Sequence, residues 1–413
     1  MTALLVTDSK YTFVPPYEGE VWPRVLGWVT PRYLRRNCGI ESIEVRGAEV
    51  LRRLTREGHG VLLAPNHCRM TDALVLQGLA NEARQPFFMM ASSHLFRGKR
   101  WLAWMIRRMG AFSVYREGID RQAIQKAVDI LVAGRRPLVI FPEGALSQAN
   151  DRLQALQEGV SFIARTAAAK LAKADEPTAS LRRVYALPVA IRYAYQGDIE
   201  ATAGEILTGI ERRLSWSPWE GRCLVERVLR VGGALLSLKE HEYLGATQSG
   251  DLHQRVQRLI DHLLEPIETE WLGGAREGTA ILRVKEIRRA MLPDMIDGDL
   301  PAQEMNRRWE LLKRAEFAQS LSLYPAEYVV SRPTVDRILE TVERFNEHLN
   351  GDETPHGPMR VIIQVGEPLE VNPKRDRAAK TDPLLRGIEE SLTKMLDSTS
   401  GESRPYERRS SNV

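Results

Sequence analysis

Between residues 42 and 193 the chain alternates short β-branched or apolar runs with longer stretches of helical periodicity, and this alternation constrains the fold more than any other feature. The runs lie at 42–45, 61–64, 86–91, 111–115, 137–141 and 184–193, and helical pattern fills 47–57, 72–83, 95–109, 119–133 and 153–174 between them. Strands separated by helices pack as a sheet with helices on its faces, so the pattern predicts an α/β architecture: a mixed sheet flanked by helices.

After Tyr195 the pattern becomes almost wholly helical. Leu252, Val256, Leu259, Ile260, Leu263 and Ile267 fall on one helix face, and Val335, Ile338, Leu339, Val342, Phe345 and Leu349 on another. Both stripes are those of buried core. Strand pattern returns in "MRVIIQVGEPLEV" (359–371), followed by a helical run near 382–396. The expected organisation is a helical lead-in over 1–41, a core over 42–195, a mostly helical insertion over 196–358 ahead of the last strand, a closing strand and helix over 359–396, and a polar, disordered tail over 397–413. No internal repeat is evident.

The 413 residues are 43% hydrophobic and 27% charged, as in ordinary globular proteins, and 58 Lys and Arg against 54 Asp and Glu leave a charge of only +4. That excess does not argue for a nucleic-acid partner, although a local basic patch can still face phosphates or an anionic membrane. Cys38, Cys68 and Cys223 form neither a disulfide framework nor a metal-ligand spacing. The N-terminus lacks a signal-peptide pattern, and the longest run free of Asp, Glu, Lys and Arg, 85–96, is far below the ~20 residues that a spanning helix needs. The expectation is a cytoplasmic protein with no transmembrane helix, free or peripheral on the cytoplasmic face of a membrane.

Four motifs carry chemistry. In "VLLAPNHCRMTDALVL" (61–76), His67 and Asp72 are five residues apart, about 500° of rotation on a regular helix, so they meet only if His67 lies in a turn and Asp72 in the first helical turn. A carboxylate on one imidazole nitrogen leaves the other free to take a proton from a hydroxyl. Alone, this N-H-x4-D spacing is weak evidence, since a solvated turn before a helix with Asp72 as an N-terminal charge has the same spacing. "PLVIFPEGALS" (137–147) ends an apolar strand with Glu143 and Gly144, where α/β sheets gather their sites. "GAFSVYRE" (110–117) delivers Arg116, a residue suited to a phosphate, and "YALPVAIRY" (185–193) is a buried strand carrying Pro188.

In this order and at these separations, the four blocks resemble the glycerolipid acyltransferase family that includes the bacterial lysophosphatidic acid acyltransferases. The resemblance implies a glycerol-3-phosphate acyltransferase-like fold and an O-acyltransferase of phospholipid synthesis. Such an enzyme moves a fatty acyl group from acyl-CoA or acyl-ACP, a co-substrate and not a cofactor, to the hydroxyl of a lysolipid acceptor such as 1-acylglycerol-3-phosphate. It implies that His67 is the base, that Asp72 orients it, that Arg116 binds acceptor phosphate, and that Glu143 and Gly144 form the acceptor-binding turn. Pro188 matches the fourth block.

Two positions depart from the family pattern. Arg69 stands where the family usually has Ser, and Ala145-Leu146 stand where it commonly has Thr-Arg. The expectation is that Arg69 supplies the missing charge as a substrate-binding residue. No metal site is expected, because His67, Asp72 and Glu143 lack a second His ligand. The helical segment "RWLAWMIRRM" (100–109) fits either a lipid headgroup layer, an acyl channel, or a helix packed on the sheet with a solvated basic face. The rival from another class is a catalytically silent lipid-binding or scaffold protein whose insertion recruits a partner.

Overall fold

The computed structural model describes residues 10–174, 181–298, 300–324, 327–351, 354–376, 378–379 and 381–407. They form two compact units: an α/β core, Thr12–Gly197 with Pro355–Arg404, and a helical unit built on Asp198–Thr354. The expected lead-in falls partly outside the described residues, at 1–9, as does the end of the tail, at 408–413.

The core comprises α1 (Val21–Cys38), β1 (Ile40–Arg46), α2 (Ala48–Arg56), β2 (Gly60–Pro65), α3 (Asp72–Ala83), β3 (Phe88–Ser92), α4 (Arg100–Arg108), β4 (Ala111–Val114), α5 (Arg121–Ala133), β5 (Leu138–Val139), α6 (Gly159–Ala172) and β6 (Val184–Tyr195). The helical unit holds α7 (Ile199–Arg213), α8 (Leu224–Leu244), α9 (Leu252–Leu272), α10 (Ala280–Asp297), α11 (Ala302–Ser322), α12 (Tyr328–Ser331) and α13 (Val335–Asn350). The chain then re-enters the core with β7 (Met359–Val365), β8 (Leu369–Glu370) and α14 (Pro383–Ser398).

The sheet order is β1-β7-β6-β2-β5-β3-β4, with β8 also on β6. Every pairing on that path is parallel except β6 with β7, which makes the sheet mixed. β2 is buried along its whole length and β6 at all but one position, as strands covered on both faces must be. Leu62 and Ala64 join Ala127, Leu131, Ala167 and Leu392 in a core shared with α5, α6 and α14. The intervening Val61 and Leu63 turn to the other face by the two-residue period of a strand.

Several expected elements end elsewhere. The helix expected over 153–174 starts only at Gly159, because Gln154 N donates to Glu143 Oε2 (2.8 Å) and Gln157 N to Pro142 O (2.7 Å), which holds the segment as a loop. The helix expected over 95–109 divides into a 3₁₀ turn at Ser93–Phe96 and α4. The strand expected over 359–371 is interrupted between β7 and β8 by Gly366-Glu367-Pro368, where Pro368 has no N–H to give a ladder. The tail is ordered as far as it is described: Arg404 donates to the carbonyls of Tyr195 (3.1 Å) and Gly197 (2.7 Å), and the Tyr406 hydroxyl donates to Glu200 (2.6 Å). Its polar side chains act as ties, which composition alone reads as solvation.

The helical unit also contains a repeat that the sequence reading missed. Glu211, Glu240 and Glu268 are fully buried near the ends of α7, α8 and α9. Each accepts a backbone N–H from eight residues on, from Trp219, Gln248 and Arg276. Each also pairs with an Arg in the first turn of the next helix, Arg227, Arg255 and Arg283, at 2.7–2.8 Å. The last two copies share the pattern E-x-E-(Y/W)-L-G with a second glycine and an Asp or Thr N-cap after it. The signal is sparse because each copy fixes only an ion pair and two turns, while the helix faces between them vary.

Candidate active site

Three strand ends meet at the site. β2 ends at Pro65 and α3 begins at Asp72, so His67 lies in the turn between them. Asn66 anchors that turn to β6: its amide donates to Ile191 O (3.0 Å) and accepts from Ile191 N (2.7 Å). Asn150 does the same two residues further along, at Tyr193 O (2.5 Å) and Tyr193 N (2.8 Å).

His67 Nδ1 is 2.8 Å from Asp72 Oδ2. Asp72 is fully buried and its carboxylate is saturated with donors: Cys68 N (2.7 Å) and Arg69 N (3.0 Å) on Oδ2, and the Tyr193 hydroxyl (2.6 Å) on Oδ1. A carboxylate can only accept, so Nδ1 carries the imidazole proton and Nε2 keeps its lone pair. Among the described residues nothing occupies Nε2, and the side chain is 20% exposed. The ring stacks on Phe141 at 3.9 Å between centroids. Burial, followed by the nearby charge of Asp72, holds the Tyr193 phenol well above its ordinary pKa, so it stays a donor.

Glu143 is buried and fixes the backbone around His67. Its Oε1 accepts from His67 N (2.6 Å) and its Oε2 from Gln154 N. Burial raises its carboxyl to about 8, against the pull of these two bonds and with the help of Asp72. Gly144 follows with φ +69°, a left-handed conformation natural to glycine, and its carbonyl accepts from Arg116 Nη2 at 2.5 Å. Burial, then the Arg116 charge, lowers the pKa of neighbouring His94.

His67, Asp72 and Glu143 are thus joined by direct bonds, and Arg116 and Gly144 by another. Arg69 lies elsewhere in the constellation, with its guanidinium 5.4 Å above the Tyr193 ring. Cys68, next to His67 in sequence, is buried with Sγ 3.8 Å from Asp72 Oδ1. Sequence reasoning missed Asn66, Asn150, Tyr193 and Phe141. Asn66, inside the N-H-x4-D spacing, Phe141, two residues before Glu143 in the third block, and Tyr193, closing the fourth, stood where a motif could have shown them; Asn150 lies outside all four.

The sheet is mostly parallel and sets the His67–Asp72 pair at a strand-to-helix turn, and residues 42–192, which include both, match the model of the Acyltransferase family. The match covers over a third of the chain and lies wholly within the α/β core, which is to that extent similar to the Acyltransferase family. A stretch of 111 residues, 27% of the chain, is 32% identical to a 1-acyl-sn-glycerol-3-phosphate acyltransferase of Streptococcus pneumoniae (strain ATCC BAA-255 / R6), and it spans 39% of that protein's length.

Proposed function

We propose that this chain is an O-acyltransferase that moves a fatty acyl group from acyl-CoA or acyl-ACP to the hydroxyl of a lysophospholipid-like acceptor, 1-acylglycerol-3-phosphate or a relative of it. The observation that carries the reading is the His67–Asp72 pair with its open Nε2. Nε2 takes the acceptor's hydroxyl proton as the oxygen attacks the thioester carbonyl, and the imidazolium returns that proton to the departing thiolate. The products are an ester and a free thiol, with no acyl-enzyme. Arg116, beside the Gly144 carbonyl, is the residue for an acceptor phosphate.

The enzyme works as a peripheral protein on the cytoplasmic face of a membrane. No helix among the described residues is long and apolar enough to cross one. Trp28 of α1 and Trp101 and Trp104 of α4 are exposed, and Arg108 packs against both Trp22 and Trp104. Exposed tryptophans among arginines suit the headgroup layer of an anionic bilayer.

Thiol release from palmitoyl-CoA, measured with and without 1-acylglycerol-3-phosphate, tests the reading. Release should depend on the acceptor in the wild type and vanish in folded His67→Ala. Lysolipid binding without any release, by the wild type and with either thioester, would instead identify a lipid-binding scaffold.

A further inference from the structure

We infer that the helical unit carries a ligand site of its own, for a single-chain fatty carboxylate. Residues of α8, α9, α11, α12 and α13 enclose a half-open cavity of about 120 Å³. Its lining runs from Val228 to His348 and lies wholly within the helical unit. The inference is independent of the chemistry at His67.

The walls are apolar. Leu252 and Val256, the first two positions of the α9 stripe, are half-buried because they face this cavity, while Leu259, Ile260, Leu263 and Ile267 are fully packed. Gly232 makes room on the opposite wall: a Cβ there would come within 3.1 Å of Phe345 Cζ. Glycine is unfavourable inside a helix, so its presence at the cavity wall suits an opening better than it suits the helix. The volume is close to the ~150 Å³ of an apolar cavity known to admit benzene, so it encloses a few carbons of one chain, whose remainder runs along the open side, and has no room for two chains of a diacyl lipid.

Charge selects the head. Among the described residues the cavity is lined by Lys239, Arg344 and His348 and by no carboxylate. Lys239 pairs with Glu242 at 2.8 Å and is 32% exposed, so its ammonium stands at the rim with donors to spare. Arg344 is held deeper, 4.8 Å over the Tyr324 ring. Apolar walls beneath a cationic rim complement an amphiphile with one chain and one anionic group, and each buried methylene adds roughly fourfold in affinity.

Fluorescence titration of the full chain with 11-(dansylamino)undecanoic acid, followed by displacement, tests this. One saturable site should appear, oleate should displace the probe, and oleyl alcohol should do so at least tenfold less well. Filling the cavity by Val256→Phe or Ser320→Phe should weaken oleate binding at least tenfold. Lys239→Glu, at the half-buried rim, should weaken oleate about tenfold and leave oleyl alcohol unchanged in a variant whose circular dichroism and melting match the wild type. The inference is overturned by absence of a saturable site, or by folded variants that bind like the wild type. It is overturned equally by oleyl alcohol matching oleate, or by lysophosphatidate binding tenfold tighter than oleate.

Discussion

The hydroxyl of Tyr193 donates to Asp72 Oδ1 at 2.6 Å while Asp72 Oδ2 holds His67 Nδ1, so the strand β6 reaches the imidazole through a single carboxylate. Thr71 Oγ1, 3.1 Å from the same phenol, completes the chain by donating to it. The imidazole is therefore oriented by the sheet and not only by the helix that carries its acid.

Tyr193→Phe should slow transfer roughly tenfold, the worth of a hydrogen bond to a charged group at ~1.5 kcal/mol, with KM for the thioester unchanged. Asp72→Asn should be worse, in the range of ~10²- to 10⁴-fold, because it removes the acceptor that sets the tautomer. Steady-state kinetics of the two folded variants give the comparison. An unchanged rate in Asp72→Asn would mean that another group orients His67.

Arg116→Ala should raise the KM for a phosphorylated acceptor by about ten- to a hundredfold and leave the thioester KM as it was. Arg69→Ala should act differently, since its guanidinium rests on Tyr193. Its loss should lower kcat more than it raises acceptor KM. Equal acceptor KM values for Arg116→Ala and wild type would point to a neutral or zwitterionic acceptor.

Glu143 makes stability depend on pH. Its carboxyl is raised to about 8 in the folded chain from an ordinary 4.5. Between these values the unfolded chain has lost the proton that the folded chain keeps, so this group's contribution to stability falls as pH rises and levels off above about 8. Thermal melts of wild type and Glu143→Gln should therefore change relative to one another from pH 5 to 8, with the wild type losing ground. A constant difference across that range would refute the raised value.

Trp28 and Trp101 are 70% and 59% exposed. Replacing both with Ala should weaken sedimentation with phosphatidylglycerol vesicles by roughly tenfold or more, given the apolar area lost from the interface. Turnover of a water-soluble short-chain acceptor should hardly change. Unaltered vesicle binding would move the membrane surface elsewhere.

By itself the sequence determined the alternation of strand and helix over 42–193, because periodicity is a local property of side chains facing a core. It also determined that His67 and Asp72 could meet only across a strand-to-helix turn, since backbone geometry permits no other approach at that spacing. The tertiary structure alone decided what surrounds them. Tyr193 lies 121 residues from Asp72, and Glu143 lies 76 from His67. No local pattern encodes such partners; parallel pairing of β2 with β5 and β6 brings them to one sheet edge. Tertiary bonds, though over shorter separations of 11 and 15 residues, also hid the loop over 153–158, whose helical periodicity loses to the donation of Gln154 N and Gln157 N to the 142–143 turn. Tertiary packing hid the cavity of the helical unit as well. Leu252 and Val256 carry the same periodic signal as the buried residues after them, and only the packing of α11, α12 and α13 leaves space in front of them.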